Sequence, residues 1–263
     1  MYTADMTSPD NVHDASHAPL SRRGAGFATT RWSMVAAAGV PGSDSDRHEG
    51  ALGALCESYW FPIYAFARRR GASAQDAQDL VQGFFTRLIE KGDVANADPE
   101  RGRFRTFLLA CFKHYSANER ERDGAAKRGG GQHVFALDGI PAEERLANEG
   151  GGELDPERAF ERAWAHTLLE TVFVRLRAEY EDAGKAAVFV ELKDSLAGDG
   201  GAHTHGERAQ VLGTTEGAVK VAVHRLRQRY GELLRREISD TLATGEDVED
   251  ELRRLFESLA KKS

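Results

Sequence analysis

The sequence contains little cysteine and no long apolar run. Its two cysteines, Cys56 and Cys111, lack CxxC spacing, and two isolated thiols in 263 residues favour buried side chains in a reducing compartment over a disulfide framework. No apolar run approaches the roughly 18–20 residues that cross a bilayer. The N-terminal stretch also lacks the apolar segment of a secretory signal. We therefore expect a cytoplasmic protein that does not enter the membrane.

The sequence also lacks the patterns of common catalytic and metal sites. No Ser/His/Asp set and no pair of catalytic carboxylates stands out, and Gly129–Gly131 lacks the lysine of a phosphate-binding loop. Two pairs have the spacing of metal ligands, but they fall in different predicted domains, and structural zinc needs four ligands. These pairs are Cys111 with His114 and His203 with His205. We expect no enzymatic activity, no metal and no other cofactor.

Acidic residues outnumber basic ones, and the formal net charge of -7 excludes a generally basic nucleic-acid-binding protein. The charges are nevertheless unevenly distributed. Residues 101–131 hold eight basic side chains against three acidic ones, and residues 208–236 hold seven against two. Acidic residues concentrate in 138–161 and after Glu237. By charge alone, the basic segments fit a solvated surface and a nucleic-acid interface equally well.

Apolar residues recur at helical spacing along almost the whole chain, and no segment alternates in the manner of a strand. We therefore predict an all-α fold. In the first half, the stripes indicate helices within 53–71, 73–92 and 103–122. Ser73 and Asp76 have the spacing of a capping box at the start of the second helix. The exposed side of the third helix is expected to carry Thr106, Lys113, Ser116 and Arg120.

Glycine-rich sequence separates two helical halves. Two triple-glycine runs fall between the halves, and such a composition predicts a flexible connection. The predicted organisation is a disordered segment at 1–28, a helical domain at 29–123, a flexible linker at 124–155, a second helical domain at 156–238 and an acidic helical extension at 239–263. The extension carries an apolar stripe that must pack on another surface, formed by Leu252, Leu255, Phe256 and Leu259.

The second domain contains two helices joined by a short turn. Thr204 and Glu207 have capping-box spacing at the start of the first helix, and Gly213 ends it. The next helix is predicted from about Glu216 to Ile238. Its core side comprises Val219, Ala222, Leu226, Tyr230 and Leu233, and its outer side Lys220, His224, Arg227 and Gln228. This pattern is typical of a helix-turn-helix that reads DNA, but an ordinary helical hairpin with a solvated basic face has the same periodicity.

Three segments together resemble a known family. "DAQDLVQGFFTRLIE" (76–90), "FRTFLLACFKHYSANERER" (104–122) and "GTTEGAVKVAVHRLR" (213–227) are similar, in this order, to sigma-70-type sigma factors of bacterial RNA polymerase. Within them the chain most resembles the extracytoplasmic-function subfamily. Its "TRWSMVAAAG" and "RGGGQ" segments and its acidic tail look like a long subgroup with a C-terminal extension. The resemblance covers roughly residues 50–130 and 157–238 and implies two helical domains, called region 2 and region 4.

The resemblance also implies which side chains act. In such factors the helix matching 73–90 binds the polymerase clamp, and the residues that match its docking face are Asp76, Asp79 and Gln82. The helix matching 104–122 opens and reads the −10 promoter element, which assigns DNA binding to Lys113, His114, Asn118, Arg120 and Arg122. Glu119 and Glu121 interrupt a run that is commonly more basic. The helix-turn-helix matches the reader of the −35 element, which assigns DNA binding to Thr215, Glu216, Gly217, Lys220, Val221, His224, Arg225 and Arg227.

The function that the resemblance implies is that of an alternative sigma factor, which binds core RNA polymerase and directs it to promoters without being an enzyme itself. Core polymerase and promoter DNA are the implied partners, an anti-sigma factor or another regulator is a further candidate, and the free protein is expected to be a monomer. Two other interpretations stay open. A dimeric helix-turn-helix regulator would bind palindromic DNA without polymerase. A helical adaptor would use its basic faces for acidic protein partners.

Overall fold

The computed structural model describes residues 32–39, 45–125, 142–148, 155–197 and 203–260. Within these ranges every regular element is a helix, which confirms the predicted all-α class. No helix in the described ranges is both long and apolar enough to cross a membrane. The segment at 1–28, predicted to be disordered, lies outside the described residues.

The helices are described by their bounds. They are α1 (Trp32–Gly39), α2 (Ser45–Arg69), α3 (Ala74–Lys91), α4 (Phe104–Ala125), α5 (Ala142–Asn148), α6 (Pro156–Asp182), α7 (Ala186–Leu192), α8 (His205–Val211), α9 (Glu216–Ser239) and α10 (Val248–Leu259). Short 3₁₀ turns follow α3 at Asp93–Asn96 and α7 at Lys193–Ala197.

Helix α2 is the central helix of the fold, and its C-terminal part is buried on nearly every side. The apolar residues between Phe61 and Ala67 are at most 4% exposed. A helix that is apolar all round has no face for solvent and must be covered by several neighbours. Here α1 and α3 cover it from the N-terminal half and α6 from the C-terminal half. The buried residues of both predicted domains therefore form one core, while the division into domains stays a prediction.

The packing of α3 against α4 follows the apolar stripes of both helices. Phe84 of α3 meets Phe112 of α4 edge to face, with ring centroids 5.3 Å apart. Ser116 was expected on the exposed side of α4, and this prediction was wrong because the residue is buried. Its hydroxyl donates to the carbonyl of Lys113 at 3.1 Å, so the polar group is satisfied within the helix.

Helix α6 connects the two halves of the molecule. It packs on α2 with one side and on α9 and α10 with another. Ala163, Leu168 and Val172 lie on its buried surface. Pro156 stands in the first turn, where its missing amide hydrogen costs nothing, and the Asp155 side chain makes no capping hydrogen bond.

The predicted C-terminal extension contains helix α10, which packs on α6 and α9. Leu252 and Leu255 are buried, as the apolar stripe indicated. Phe256 was expected on the same stripe, but it is 54% exposed. The buried position next in sequence to Leu252 is taken by Glu251, a carboxylate that is 1% exposed and lies against arginines of the N-terminal half.

Helix α5 lies inside the segment predicted to be a flexible linker. It is docked on α2 by Glu143, which accepts hydrogen bonds from the Tyr64 hydroxyl at 2.5 Å and from Arg68 Nε at 2.7 Å. Arg145 lies over the Phe61 ring, 4.1 Å from its centroid. The glycine content of the segment gave no indication of this helix. Residues 126–141 and 149–154 of the same segment lie outside the described residues.

We expect Glu143→Gln to weaken the docking of α5. The hydrogen bonds from Arg68 and Tyr64 lower the pKa of Glu143 from its ordinary 4.5 to about 2. A lowered folded-state pKa stabilises docking above the ordinary value, and this contribution is lost as the pH falls from about 4.5 to about 2. Because the carboxylate is partly exposed, solvent screening limits the effect to about fivefold in the docking equilibrium.

Hydrogen exchange of the α5 amides, corrected for intrinsic rates, measures this docking. Wild-type protection should fall between pH 5 and pH 3. Protection in Glu143→Gln should already be low at pH 5 and change little on acidification. Equal protection of the two proteins at pH 5 would contradict the role given to Glu143.

Candidate polymerase-binding and DNA-binding surfaces

Helix α3 presents a polar outer face. Asp76 and Asp79 are exposed, and Gln82 is half-buried one turn further along. Ser73 caps the helix, because its Oγ accepts from the Asp76 amide at 3.1 Å and donates to the Asp76 carboxylate at 2.7 Å. This differs from the predicted capping box, in which the acidic side chain reaches the cap backbone. The two carboxylates therefore stand three residues apart on a fixed helix, where they can pair with a basic partner surface.

The outer side of α4 carries most of the side chains predicted to bind the −10 element. His114, Asn118, Arg120 and Arg122 are exposed. The Arg122 guanidinium is paired with Glu119 at 3.0 Å. An exposed pair of this kind contributes little to stability, but it reduces the positive charge that this end of α4 offers to phosphate groups.

Lys113 differs from the other −10 candidates because a residue of the C-terminal half contacts it. Its ammonium lies 2.5 Å from a carboxylate oxygen of Glu157 on α6 and 5.5 Å from the centroid of the Phe66 ring. The hydrogen bond from the Lys113 ammonium is the main reason why the pKa of Glu157 lies below its ordinary value. Lys113 is thus bound within the protein in this arrangement.

Helices α8 and α9 follow one another across a short turn. Thr204 and Glu207 make the complete capping box at the start of α8. Gly213 adopts a left-handed conformation with φ 61°, which turns the chain after α8. Thr215 caps α9 by accepting from the amide of Ala218 at 3.2 Å. These local devices fix the angle at which α9 leaves the turn.

The N-terminal part of α9 is open to solvent on its outer side. Thr215, Glu216, Gly217, Lys220, Val221, His224 and Arg225 are all exposed. Lys220 pairs with Glu216 at 2.8 Å, one helical turn away. Val221 is 50% exposed, so this helix places an apolar side chain among its polar ones. A helix with this mixture of groups can contact both phosphates and the methyl group of thymine.

Arg227 is exposed as well, but it has a hydrogen-bond partner within the protein. Its Nε donates to the carbonyl of Ser195 at 2.9 Å, and the buried Arg208 binds the hydroxyl of the same serine. The two arginines therefore hold the turn at Lys193–Ala197 against α8 and α9. The assignment of Arg227 to DNA binding stays a prediction.

Sequence reasoning missed the role of Arg103 and Arg105. Both were counted with the basic segment, but their guanidinium groups bind Glu161, Glu246 and Glu251 of the C-terminal half. The signal was present in the sequence, since acidic residues concentrate where these partners occur. Separately, the described residues contain no group of three or more side chains suited to hold a metal ion.

Comparison with known proteins gives one family match. Residues 55–125 match the family model described as sigma-70 region 2. The matched range includes all of α3 and α4 and therefore both outer faces described above. It supports a sigma-70-type sigma factor with a role in polymerase binding and promoter recognition. No curated protein and no solved structure matches the chain significantly.

We expect Gly83→Ala to disturb the packing of α3 against α4. A methyl group at Gly83 would lie 2.4 Å from the hydroxyl oxygen of Tyr115, so the tyrosine ring must move. Gly53→Ala on α2 is the matched control, since nothing lies within 4 Å of its added methyl group. Alanine in a helix interior is normally favoured over glycine by roughly 0.5–1 kcal/mol.

Thermal unfolding followed by circular dichroism compares the two variants. Gly53→Ala should raise the free energy of unfolding, whereas Gly83→Ala should lower it by about 1–3 kcal/mol, the range for overpacked sites. Equal stabilisation by both substitutions would show that Tyr115 does not fix the distance between α3 and α4.

Proposed function

We propose that this protein is an alternative sigma factor of the extracytoplasmic-function type, which binds core RNA polymerase and directs it to −10 and −35 promoter elements. The observation that carries the proposal is the region 2 match over a segment whose α3 carries an exposed acidic face. Asp76, Asp79 and Gln82 would bind the polymerase. Carboxylates on a rigid helix are suited to a basic partner surface, where charge complementarity gives speed and specificity.

Two separate faces would bind DNA. The outer side of α4 would contact the opened −10 element, where histidine, asparagine and arginine side chains suit bases and phosphates. The outer side of α9 would contact the −35 element in the manner of a recognition helix. Lys220, His224 and Arg225 support this assignment, because they are exposed on the same face of α9.

The net charge of -7 fits a protein that binds promoters only in company with polymerase. Affinity for DNA depends strongly on the number of phosphates neutralised. Each basic face is small, and polymerase would make the two faces act together by raising their effective concentration at the promoter. The protein itself would be non-enzymatic, cytoplasmic and monomeric when free, with an anti-sigma factor or another regulator as a further candidate partner.

We expect Asp79→Arg to abolish binding to core polymerase. The substitution places a cation in the middle of the acidic face, and like charges across an interface cost several kcal/mol. This corresponds to at least about a hundredfold loss of affinity. Co-elution with sigma-free core polymerase on a sizing column measures the loss.

Asp182→Arg is the matched control for this experiment. Asp182 is exposed at the C-terminal end of α6, far along the chain from α3, and undergoes the same change of charge. This variant should co-elute like the wild type. If the wild type fails to co-elute and migrates as a dimer, the proposal is wrong and a conventional dimeric regulator takes its place.

We expect Lys220→Ala to weaken promoter binding without affecting polymerase binding. Loss of one phosphate contact should reduce the slope of log affinity against log salt concentration by about one unit. Arg235→Ala is the control, because Arg235 lies on the same helix but pairs with Glu249 of α10 at 2.9 Å. Binding of the reconstituted polymerase to a promoter duplex at several salt concentrations gives the slopes. Unchanged promoter binding by Lys220→Ala would favour the adaptor interpretation.

A further inference from the structure

Arg145 of α5 is held against α2 and α6 by three contacts. Its guanidinium lies over the ring of Phe61 on α2, 4.1 Å from the centroid. Its Nη2 donates to Thr167 Oγ1 at 2.9 Å and lies 2.9 Å from a carboxylate oxygen of Glu170. The cation therefore lies on the surface of α6 at the level of residues 167–170.

Helix α6 places two more nitrogen-bearing side chains next to Arg145. Arg162 and His166 precede Glu170 at four-residue spacing, so the three side chains form one row along the helix. Burial, and then the charges of Arg162 and Arg145, lower the pKa of His166 below its ordinary value. Both guanidinium groups are therefore close enough to act on the imidazole. We call Arg145, Arg162 and His166 the basic cluster.

The basic cluster contains three buried nitrogen atoms that have no hydrogen-bond partner among the described residues. They are Nε of Arg145, Nε of Arg162 and Nε2 of His166. Buried polar groups in folded proteins nearly always have a partner, so three unpartnered nitrogens in one place are typical of a ligand site. A guanidinium Nε can only donate, and a neutral imidazole with its proton on Nε2 donates as well. The fitting ligand is therefore an acceptor, and the surrounding positive charge favours an anion.

The carboxylates around the basic cluster do not provide this acceptor. Glu143, Glu157 and Glu161 contact Arg68, Lys113 and Arg105, respectively. Glu170 contacts Arg145, but its side chain is 60% exposed. An ion pair this exposed is weak and can exchange with an anion from solution. The carboxylate of Glu170 therefore marks the place where an external oxyanion can bind Arg145.

We propose that the basic cluster binds a small phosphate-type anion, either inorganic phosphate or the phosphate group of a nucleotide. The anion replaces Glu170 on Arg145 and accepts hydrogen bonds from Arg162 and His166. A tetrahedral oxyanion offers acceptor oxygens in several directions, and the planar fork of arginine is well suited to phosphate. Because the three nitrogens are buried, a small anion can reach them once Glu170 has moved aside, whereas a nucleic-acid duplex cannot.

This site does not depend on the proposed function. It lies outside residues 55–125, which match region 2, and its test uses the free, full-length protein. A bound anion would link α5 to α6, since Arg145 belongs to α5 and the other two members of the basic cluster belong to α6. It would thus add to the docking of α5 that Glu143 provides on α2.

Thermal unfolding in the presence of phosphate tests the proposal. Chloride at the same ionic strength is the reference, because it screens charges to the same extent. At ten times the dissociation constant of phosphate, we expect the unfolding midpoint to rise by about 2–4 °C. Isothermal titration calorimetry with inorganic phosphate measures the dissociation constant. The absence of saturable binding overturns the proposal.

Two substitutions on α6 should change the affinity for phosphate in opposite directions. Arg162→Gln removes a charged donor and should weaken binding about tenfold. Glu170→Gln removes the competing carboxylate and should strengthen binding about two- to fivefold, the range for an exposed ion pair. Because Glu170 is exposed, this variant carries the test if Arg162→Gln does not fold, which circular dichroism verifies.

Glu181→Gln is the matched control. It removes the same charge from α6 and also frees an arginine from an exposed pair, because Glu181 lies 2.6 Å from Arg177. This variant should bind phosphate like the wild type. An equal gain of affinity in Glu170→Gln and Glu181→Gln would attribute the effect to net charge and overturn the proposal, and so would unchanged affinity in Glu170→Gln.

Two further measurements locate the anion and identify its source. Tighter binding of adenosine 5′-monophosphate than of inorganic phosphate supports a nucleotide ligand, and equal or weaker binding supports inorganic phosphate. Equal binding of adenosine and its monophosphate contradicts the proposal, because the phosphate then contributes nothing. The ring signals of His166 in NMR spectra, identified by their loss in His166→Gln, should shift when phosphate is added. Saturable binding with unchanged His166 signals would place the anion elsewhere and overturn the basic cluster as its site.

Discussion

The burial of Arg105 is the constraint around which the two halves of the fold are arranged. A guanidinium that is almost inaccessible to water requires carboxylates at hydrogen-bonding distance and an aromatic or aliphatic surface for its body. Its partners come from far along the chain, with Glu161 56 residues away and Glu251 146 residues away. The first turn of α4 must therefore meet both α6 and α10. The packing of α6 along α2 satisfies the first of these requirements and forms the core of the molecule at the same time.

The basic residues of the sequence fall into an internal group and an external group. Arg103, Arg105 and Lys113 bind carboxylates of the C-terminal half, and Arg229 binds Glu179 of α6 at 2.7 Å. The external group lies on the outer sides of α4 and α9 and includes Arg120, Lys220 and Arg225. Counts of basic residues along the sequence therefore overestimate the positive surface that is available to DNA. Internal neutralisation therefore leaves a smaller positive surface than the basic segments of the sequence indicate.

Sequence patterns predicted those parts of the fold whose causes are local. Helix α9 was expected from about Glu216 to Ile238 and runs from Glu216 to Ser239, because its cap and its apolar spacing lie within the helix itself. Asp76 and Asp79 of α3 are exposed for the same reason, since the apolar spacing within that helix determines which of its sides is buried. Helix α5, by contrast, is held by a contact between Glu143 and Arg68, 75 residues apart. Phe256 and Ser116 were misjudged because helical spacing alone does not indicate which neighbour covers each side.

The long separation between Arg105 and Glu251 along the chain has a consequence for how the protein is made. A ribosome adds roughly 5–20 residues per second, and 146 residues separate Arg105 from Glu251. About 7–30 s therefore pass between the synthesis of the cation and that of its deepest counter-charge. During this interval Glu161 is the one counter-charge of the pair already made, and the surface that α10 covers is still open to water. The contact between Arg105 and Glu251 can form only after α10 has left the ribosome. The nascent chain therefore passes through a state in which α10 is not yet packed on the N-terminal half.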